Sequence, residues 1–297
     1  GIQNGSIGLE KRQHKKKGFQ GIHKKGGGGI DFPPNKEYTI SIHGLQNQMS
    51  KFARAHLRRK GREGMEQAME RKRLVREKER RAEKRRRLGL PRYSLGEEIF
   101  SSVSHGVSAL LAVAGLVLLL VFCEKTPLKV SCVSVYGATM VLLYTVSTLY
   151  HALGLNRAKV VFRSLDHCPI FLLIAGTYTP ITLVSLGGAQ GWVMFGTVWA
   201  AAALGIVLNA VSVERFKAVS MACYLAMGWV VVFAMKTFTQ NVSAVGFWCL
   251  LAGGLCYTLG AALYGMGKKI PYVHSVFHLF VLAGSVLHTV TVYQVVK

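Results

Sequence analysis

A small set of ionisable side chains interrupts otherwise apolar stretches in the C-terminal two thirds of the sequence: His105, His151, Asp166, His167, His274, His278 and His288. Within hydrocarbon such groups are costly and require a partner or a task. His274 and His278 are spaced i,i+4, so one helix presents both from one face. Ser147 and His151 repeat that spacing on an earlier apolar stretch. Three imidazoles from two helices, with a fourth position left open, fit a tetrahedral catalytic zinc. Imidazole nitrogen also suits iron, copper and nickel. Asp166 would hold and deprotonate a bound water, and Ser147, one turn from His151, would donate a supporting hydrogen bond. A zinc-bound water ionises near pH ~7 and would attack an amide or an ester. An HxxxH pair alone is equally what packing or haem ligation produces; the addition of Ser147, His151 and Asp166 favours a metal. His105 reads as a packed or hydrogen-bonded histidine, with lining of the site as the secondary reading, and His167 and His288 read as residues outside the ligand set.

The elements that must position these groups are membrane helices. With 51% hydrophobic residues and a mean hydropathy of +0.30, the chain is more apolar than a soluble domain of its size. Stretches at 99–122, 130–152, 167–187, 191–211, 218–235, 242–266 and 272–294 are each long enough to cross a ~30 Å hydrocarbon core. They are too long for barrel strands, and helices satisfy their own backbone hydrogen bonds in lipid. The expectation is an all-α, seven-transmembrane helix bundle. Lys and Arg in the loops set its orientation. Arg157, Lys159, Arg163, Arg215, Lys217, Lys268 and Lys269 fall on one side, against Lys125, Lys129, Lys236 and Lys297 on the other. The N-terminus is therefore expected in the cytoplasm and the C-terminus outside, in a multi-pass protein of the plasma membrane. That orientation places His151, Asp166, His274 and His278 at one depth, near the cytoplasmic helix ends. With a helix entering at Pro271, the last two lie roughly 5 and 10 Å in, at ~1.5 Å per residue.

Residues 1–92 hold 26 of the 37 Lys and Arg but also 9 of the 14 acids. Residues 1–48 read as a low-complexity, disordered segment, with Met49 as the expected biological start. Residues 49–92 read as a charged cytoplasmic helix, strongest from Glu63 to Leu88, with Glu77/Arg81 and Glu83/Arg87 at i,i+4. Its partner is expected to be anionic lipid headgroups rather than nucleic acid, since nothing aromatic interleaves the charges. No secretory signal is expected ahead of the first apolar run. The six cysteines form no CxxC pair and read as small buried hydrophobes. Gly/Ala-rich patches at Ala201–Gly205 and Gly253–Gly260 allow close helix packing, within one chain or between two.

Five segments together resemble the hemolysin III family, grouped with the progestin and adiponectin receptors and more distantly with the alkaline ceramidases. They are Glu97–Gly106, Ser147–His151, Arg163–His167, Ala175–Pro180 and His274–His278. The resemblance spans residues 93–297 and stops short of the basic tail. It implies a seven-helix bundle with zinc near the cytoplasmic side, ligated by His151, His274 and His278, with Ser147 and Asp166 as the accompanying polar pair. His167 stands where receptor relatives often carry an aromatic residue. The expected activity is metal-dependent hydrolysis of a lipid-like amide or ester entering from the bilayer. The competing expectations are a channel-forming or cytolytic protein, and a receptor or regulator in which zinc is structural.

Overall fold

A computed structural model describes residues 36–266, 270 and 272–297, with side chains from Gly44 onward. The first 35 residues, Lys268, Lys269 and Pro271 lie outside the described residues, and so do the expectations that rest on them. The chain divides into two units, Gly1–Arg71 and Lys72–Lys297. Regular structure among the described residues is helical throughout.

Helix α1 (Lys36–Arg87) begins well before the Glu63–Leu88 stretch singled out above. The expected i,i+4 ion pairs form, with Arg81 to Glu77 at 2.9 Å and Arg87 to Glu83 at 3.0 Å. The helix stops where Gly89 takes a left-handed conformation (φ 64°). There the Leu90 N–H reaches back to the Arg85 carbonyl (3.0 Å) and the Gly89 N–H to that of Arg86 (3.1 Å), the paired bonds of a Schellman ending.

Among the described residues, six helical runs are long and apolar enough to cross a membrane. Helix α2 (Leu95–Phe122) starts at a capping box, the Ser94 N–H donating to Glu97 Oε2 (2.7 Å) and the Glu97 N–H to Ser94 Oγ (3.1 Å). Helix α3 (Pro127–Ala152) starts at Thr126 with proline in its first turn, and α4 (Arg157–Pro180) starts at an Asn156 cap. A π-helical turn, Ile181–Leu186, extends α4. Helix α5 (Gly188–Trp229) passes through a 3-10 turn into α6 (Met235–Asn241), and α7 (Ala244–Met266) and α8 (Val273–Val296) complete the order.

The run Gly188–Asn241 holds 54 residues, which at 1.5 Å each would measure ~80 Å, far beyond one bilayer. It is not straight: Ser212 has extended backbone (φ −167°, ψ 107°) inside α5. The expected stretches 191–211 and 218–235 fall on either side of that break, so seven apolar stretches occupy six continuous helical runs.

Helices α2 to α5 pack each against the next, and α8 lies against both α7 and α2. The Gly/Ala patches serve contacts within the chain. Gly205 faces the Phe171 ring, Gly253 the His288 ring and Gly260 the Phe277 ring, the close approach that small residues permit between membrane helices. Large apolar side chains such as Leu110, Val193, Phe233 and Trp248 face outward, as surfaces that meet lipid tails do.

Candidate metal centre

Two helix ends meet at the histidines. His274 and His278 occupy the first turns of α8, and His151 the last turn of α3. The start of α8 is fastened to α2: the Tyr272 N–H donates to Glu97 Oε1 (2.9 Å), and Ser275 Oγ lies 3.2 Å from Ser101 Oγ. All three imidazoles are buried, and one nitrogen of each lies within 4.8 Å of the other two.

His151 Nδ1–H donates to Glu98 Oε2 at 3.0 Å. A carboxylate can only accept, so the tautomer that suits this contact has its proton on Nδ1 and presents the lone pair of Nε2. That Nε2 is buried with no hydrogen-bond partner among the described residues. His274 Nε2 and His278 Nε2 approach each other to 3.1 Å. Zinc–nitrogen bonds of ~2.0–2.1 Å place tetrahedral ligands ~3.4 Å apart. His274 and His278 meet this spacing, and a nitrogen of His151 lies within 4.8 Å of both, an arrangement that fits a metal ion; without a cation the unpaired lone pair of His151 carries its full desolvation cost.

Glu98 is the residue that sequence reasoning passed over. Besides His151, its Oε2 accepts from Lys159 Nζ (3.0 Å) and its Oε1 from Arg85 Nη2 (3.3 Å). Lys159, counted above as a loop charge, is only 1% exposed. It lies in the first turn of α4 and folds back beneath α3, also donating to the carbonyls of Tyr150 (2.8 Å) and Leu153 (3.1 Å). Its three protons are thereby used, two of them on carbonyls that the end of α3 leaves open. One available signal was spacing: Glu98 and His105 are seven apart on α2, and hence on one face.

His105 proves to be part of the site wall. Its ring meets that of His278 edge-on at 4.1 Å and lies parallel to that of His151 at 6.3 Å. Neither of its nitrogens has a hydrogen-bond partner among the described residues. Tyr93 stacks on His274 at 4.6 Å, 17° from parallel. Burial pushes the Tyr93 phenol well above its usual range, helped by the neighbouring Tyr150 and Tyr264 and by the carboxylates of Asp166 and Glu98. The ring therefore stays neutral against the imidazole.

A cavity of about 620 Å³ opens beside the cluster, and Ser147, Asp166, His105, His274 and His278 are on its wall; His151 is not. Its remaining lining is mostly aliphatic and aromatic and reaches His288 on α8. Fourteen residues separate His274 from His288, ~21 Å of helix, so the cavity follows much of a ~30 Å hydrocarbon core. His288 Nε2 donates to the Leu250 carbonyl (3.3 Å), and the His167 ring faces Tyr264. Both lie on the cavity wall outside the three-histidine cluster.

Residues 93–289 match the family model described as haemolysin-III related. The chain is 40% identical over 193 residues to Hemolysin-3 of Bacillus cereus, covering 64% of this chain and 88% of that protein. It belongs to the hemolysin III family. A Hemolysin-3 homolog from Bacillus subtilis (strain 168) is 38% identical over 195 residues, 65% of this chain and 91% of that protein. The human monocyte to macrophage differentiation factor is 27% identical over 168 residues, 54% and 68% of the two chains. Together with the six apolar helices, these likenesses make this hemolysin III member an integral, multi-pass membrane protein. The matched region begins just beyond the end of α1 and contains every histidine of the cluster.

Proposed function

We propose that this hemolysin III protein is a zinc-dependent membrane hydrolase acting on a lipid-like amide or ester. His151, His274 and His278 hold the metal. The observation that carries the reading is the convergence of three buried imidazoles, one with a bare Nε2, beside a long apolar cavity. Zinc, when bound, supplies Lewis acidity and a water that ionises near pH ~7. Asp166 accepts the proton from the attacking water. Ser147 donates a hydrogen bond beside His151, and Glu98 holds the His151 ring in the tautomer that coordinates. The aliphatic wall receives the acyl chain.

In this reading the bundle crosses the membrane seven times, with the break at Ser212 dividing the long run into two spans. The N-terminus is cytoplasmic by the distribution of Lys and Arg. The membrane is the plasma membrane, and the basic helix α1 contacts anionic headgroups there. The names of the two Bacillus relatives favour a second reading, lysis of a target membrane. Metal-independent conductance in planar bilayers would support that alternative.

The test is a panel of lipid amides and esters presented to zinc-loaded protein in nanodiscs, with Asp166→Asn alongside. Hydrolysis that falls ~10²–10⁴-fold in the variant while zinc is retained supports the reading. Intact lipids throughout the panel, from protein that carries zinc and binds those lipids, refute it.

A further inference from the structure

The segment joining α1 to α2 does more than connect them. Gly89, Leu90, Pro91, Arg92 and Tyr93 form part of the cavity wall. Leu90 is buried. Two arginines from different helices hold the backbone of this segment in place: Arg85 Nη1 donates to the Pro91 carbonyl (2.8 Å) and Arg163 Nη1 to that of Gly89 (2.8 Å). Arg163 is itself anchored by Glu214. The segment ends with the Tyr93 ring stacked on the metal-ligand candidate His274 and 6.0 Å from the His151 ring. Gly89 can make the turn because its φ of 64° carries no side-chain penalty.

We propose that Gly89–Tyr93 is a lid over the metal centre, clasped by Arg85 and Arg163, and that its opening admits and releases the metal from the aqueous side. The inference rests on the metal reading above. It assigns the end of α1 a role in the site. A polar clasp made of two backbone carbonyls suits such a part, since each bond is individually weak and opening exposes little apolar surface beyond Leu90 and Tyr93. Tyr93 provides the closing face, because its flat neutral ring covers one side of the His274 imidazole without competing for a nitrogen.

The experiment follows zinc loss from the full-length, zinc-loaded protein in nanodiscs into excess EDTA. Zinc reloading and equilibrium affinity are measured separately. Arg163→Gln frees the Gly89 carbonyl and Tyr93→Ala removes the stacked ring, while Tyr93→Phe keeps it. Loss of one clasp bond predicts about tenfold faster zinc release and about tenfold faster reloading in Arg163→Gln, with little change in affinity. Tyr93→Ala should behave similarly, and Tyr93→Phe like the native protein. Unchanged rates in both Arg163→Gln and Tyr93→Ala would overturn the lid. So would faster release without faster reloading, which marks a residue that merely strengthens the metal bond. In metal-free protein, carbethoxylation of His274 by diethyl pyrocarbonate should also accelerate in Arg163→Gln. That measurement judges the lid even if the native protein proves to bind no zinc, a result that would remove the hydrolase reading instead.

Discussion

Substituting Glu98 by Gln separates the two tasks of the buried charge cluster. The native carboxylate accepts from His151 and Lys159 through Oε2 and from Arg85 through Oε1. Glutamine keeps one carbonyl oxygen, and its amide group replaces an acceptor with a donor directed at a cation. Lys159 is almost fully buried, so its ammonium loses the one counter-charge within hydrogen-bond reach among the described residues and retains two carbonyls. Breaking a buried pair from one side costs ~3–5 kcal/mol. His151 in turn keeps at most a neutral amide oxygen in place of the carboxylate that fixes its tautomer, a weakening worth up to ~10–100-fold in metal affinity, or ~1.4–2.8 kcal/mol. Thermal unfolding in detergent reads the first quantity, and zinc competition against a chromophoric chelator reads the second. Adding Lys159→Met to Glu98→Gln removes the stranded charge, so stability should recover while zinc affinity stays low. Zinc affinity unchanged in Glu98→Gln would refute the reasoning that Glu98 positions His151. Recovery of both quantities together in the double variant would show one structural effect rather than two.

Other consequences can be checked separately. A Cβ at Gly176 would meet Thr139 Oγ1 at 2.2 Å, so Gly176→Val should destabilise the α3–α4 contact by ~1–3 kcal/mol, seen as a lowered melting temperature; an unchanged value would mean that this approach is not tight. Protons compete with metal for imidazole nitrogens, so zinc should be held above neutral pH and released as pH falls, with dialysis at stepped pH as the assay. Zinc retained equally at acid and neutral pH would exclude a three-histidine site. Binding of a peptide spanning Lys51–Arg87 to vesicles should require anionic lipid and weaken with salt, at ~1 kcal/mol per basic residue near the surface. Equal binding to neutral vesicles would exclude the headgroup reading of α1.

The apolar runs made the helical, membrane-spanning character legible from residue types alone, because hydrocarbon thickness sets a length that few other structures need. The long run from Gly188 was less plain. Its backbone stays helical on both sides of Ser212, and only the extended conformation of that residue marks the division. At the site, the i,i+4 spacing identified His274 and His278, and their convergence with His151 follows from packing α3 and α8 into one bundle. Glu98 was hidden because a carboxylate near a helix start usually reads as a capping or dipole-complementing charge. Here Glu97 performs the capping and Glu98, one residue on, points inward to His151. Lys159 was misread for a related reason: spacing along the chain cannot tell that a first-turn lysine folds back under the preceding helix. The depth of His105 along its helix left packing and site lining both open, and the tertiary structure brings its ring against His278. Tyr93 lies before the first span and carried no pattern that pointed to the cluster.

The hydrolase chemistry requires that the three imidazoles hold metal. Elemental analysis of detergent-purified protein, prepared without chelator, should find zinc near one equivalent per chain, and His278→Ala should lose it. A native protein free of metal, or a His278→Ala variant that retains its full complement, would contradict the central claim.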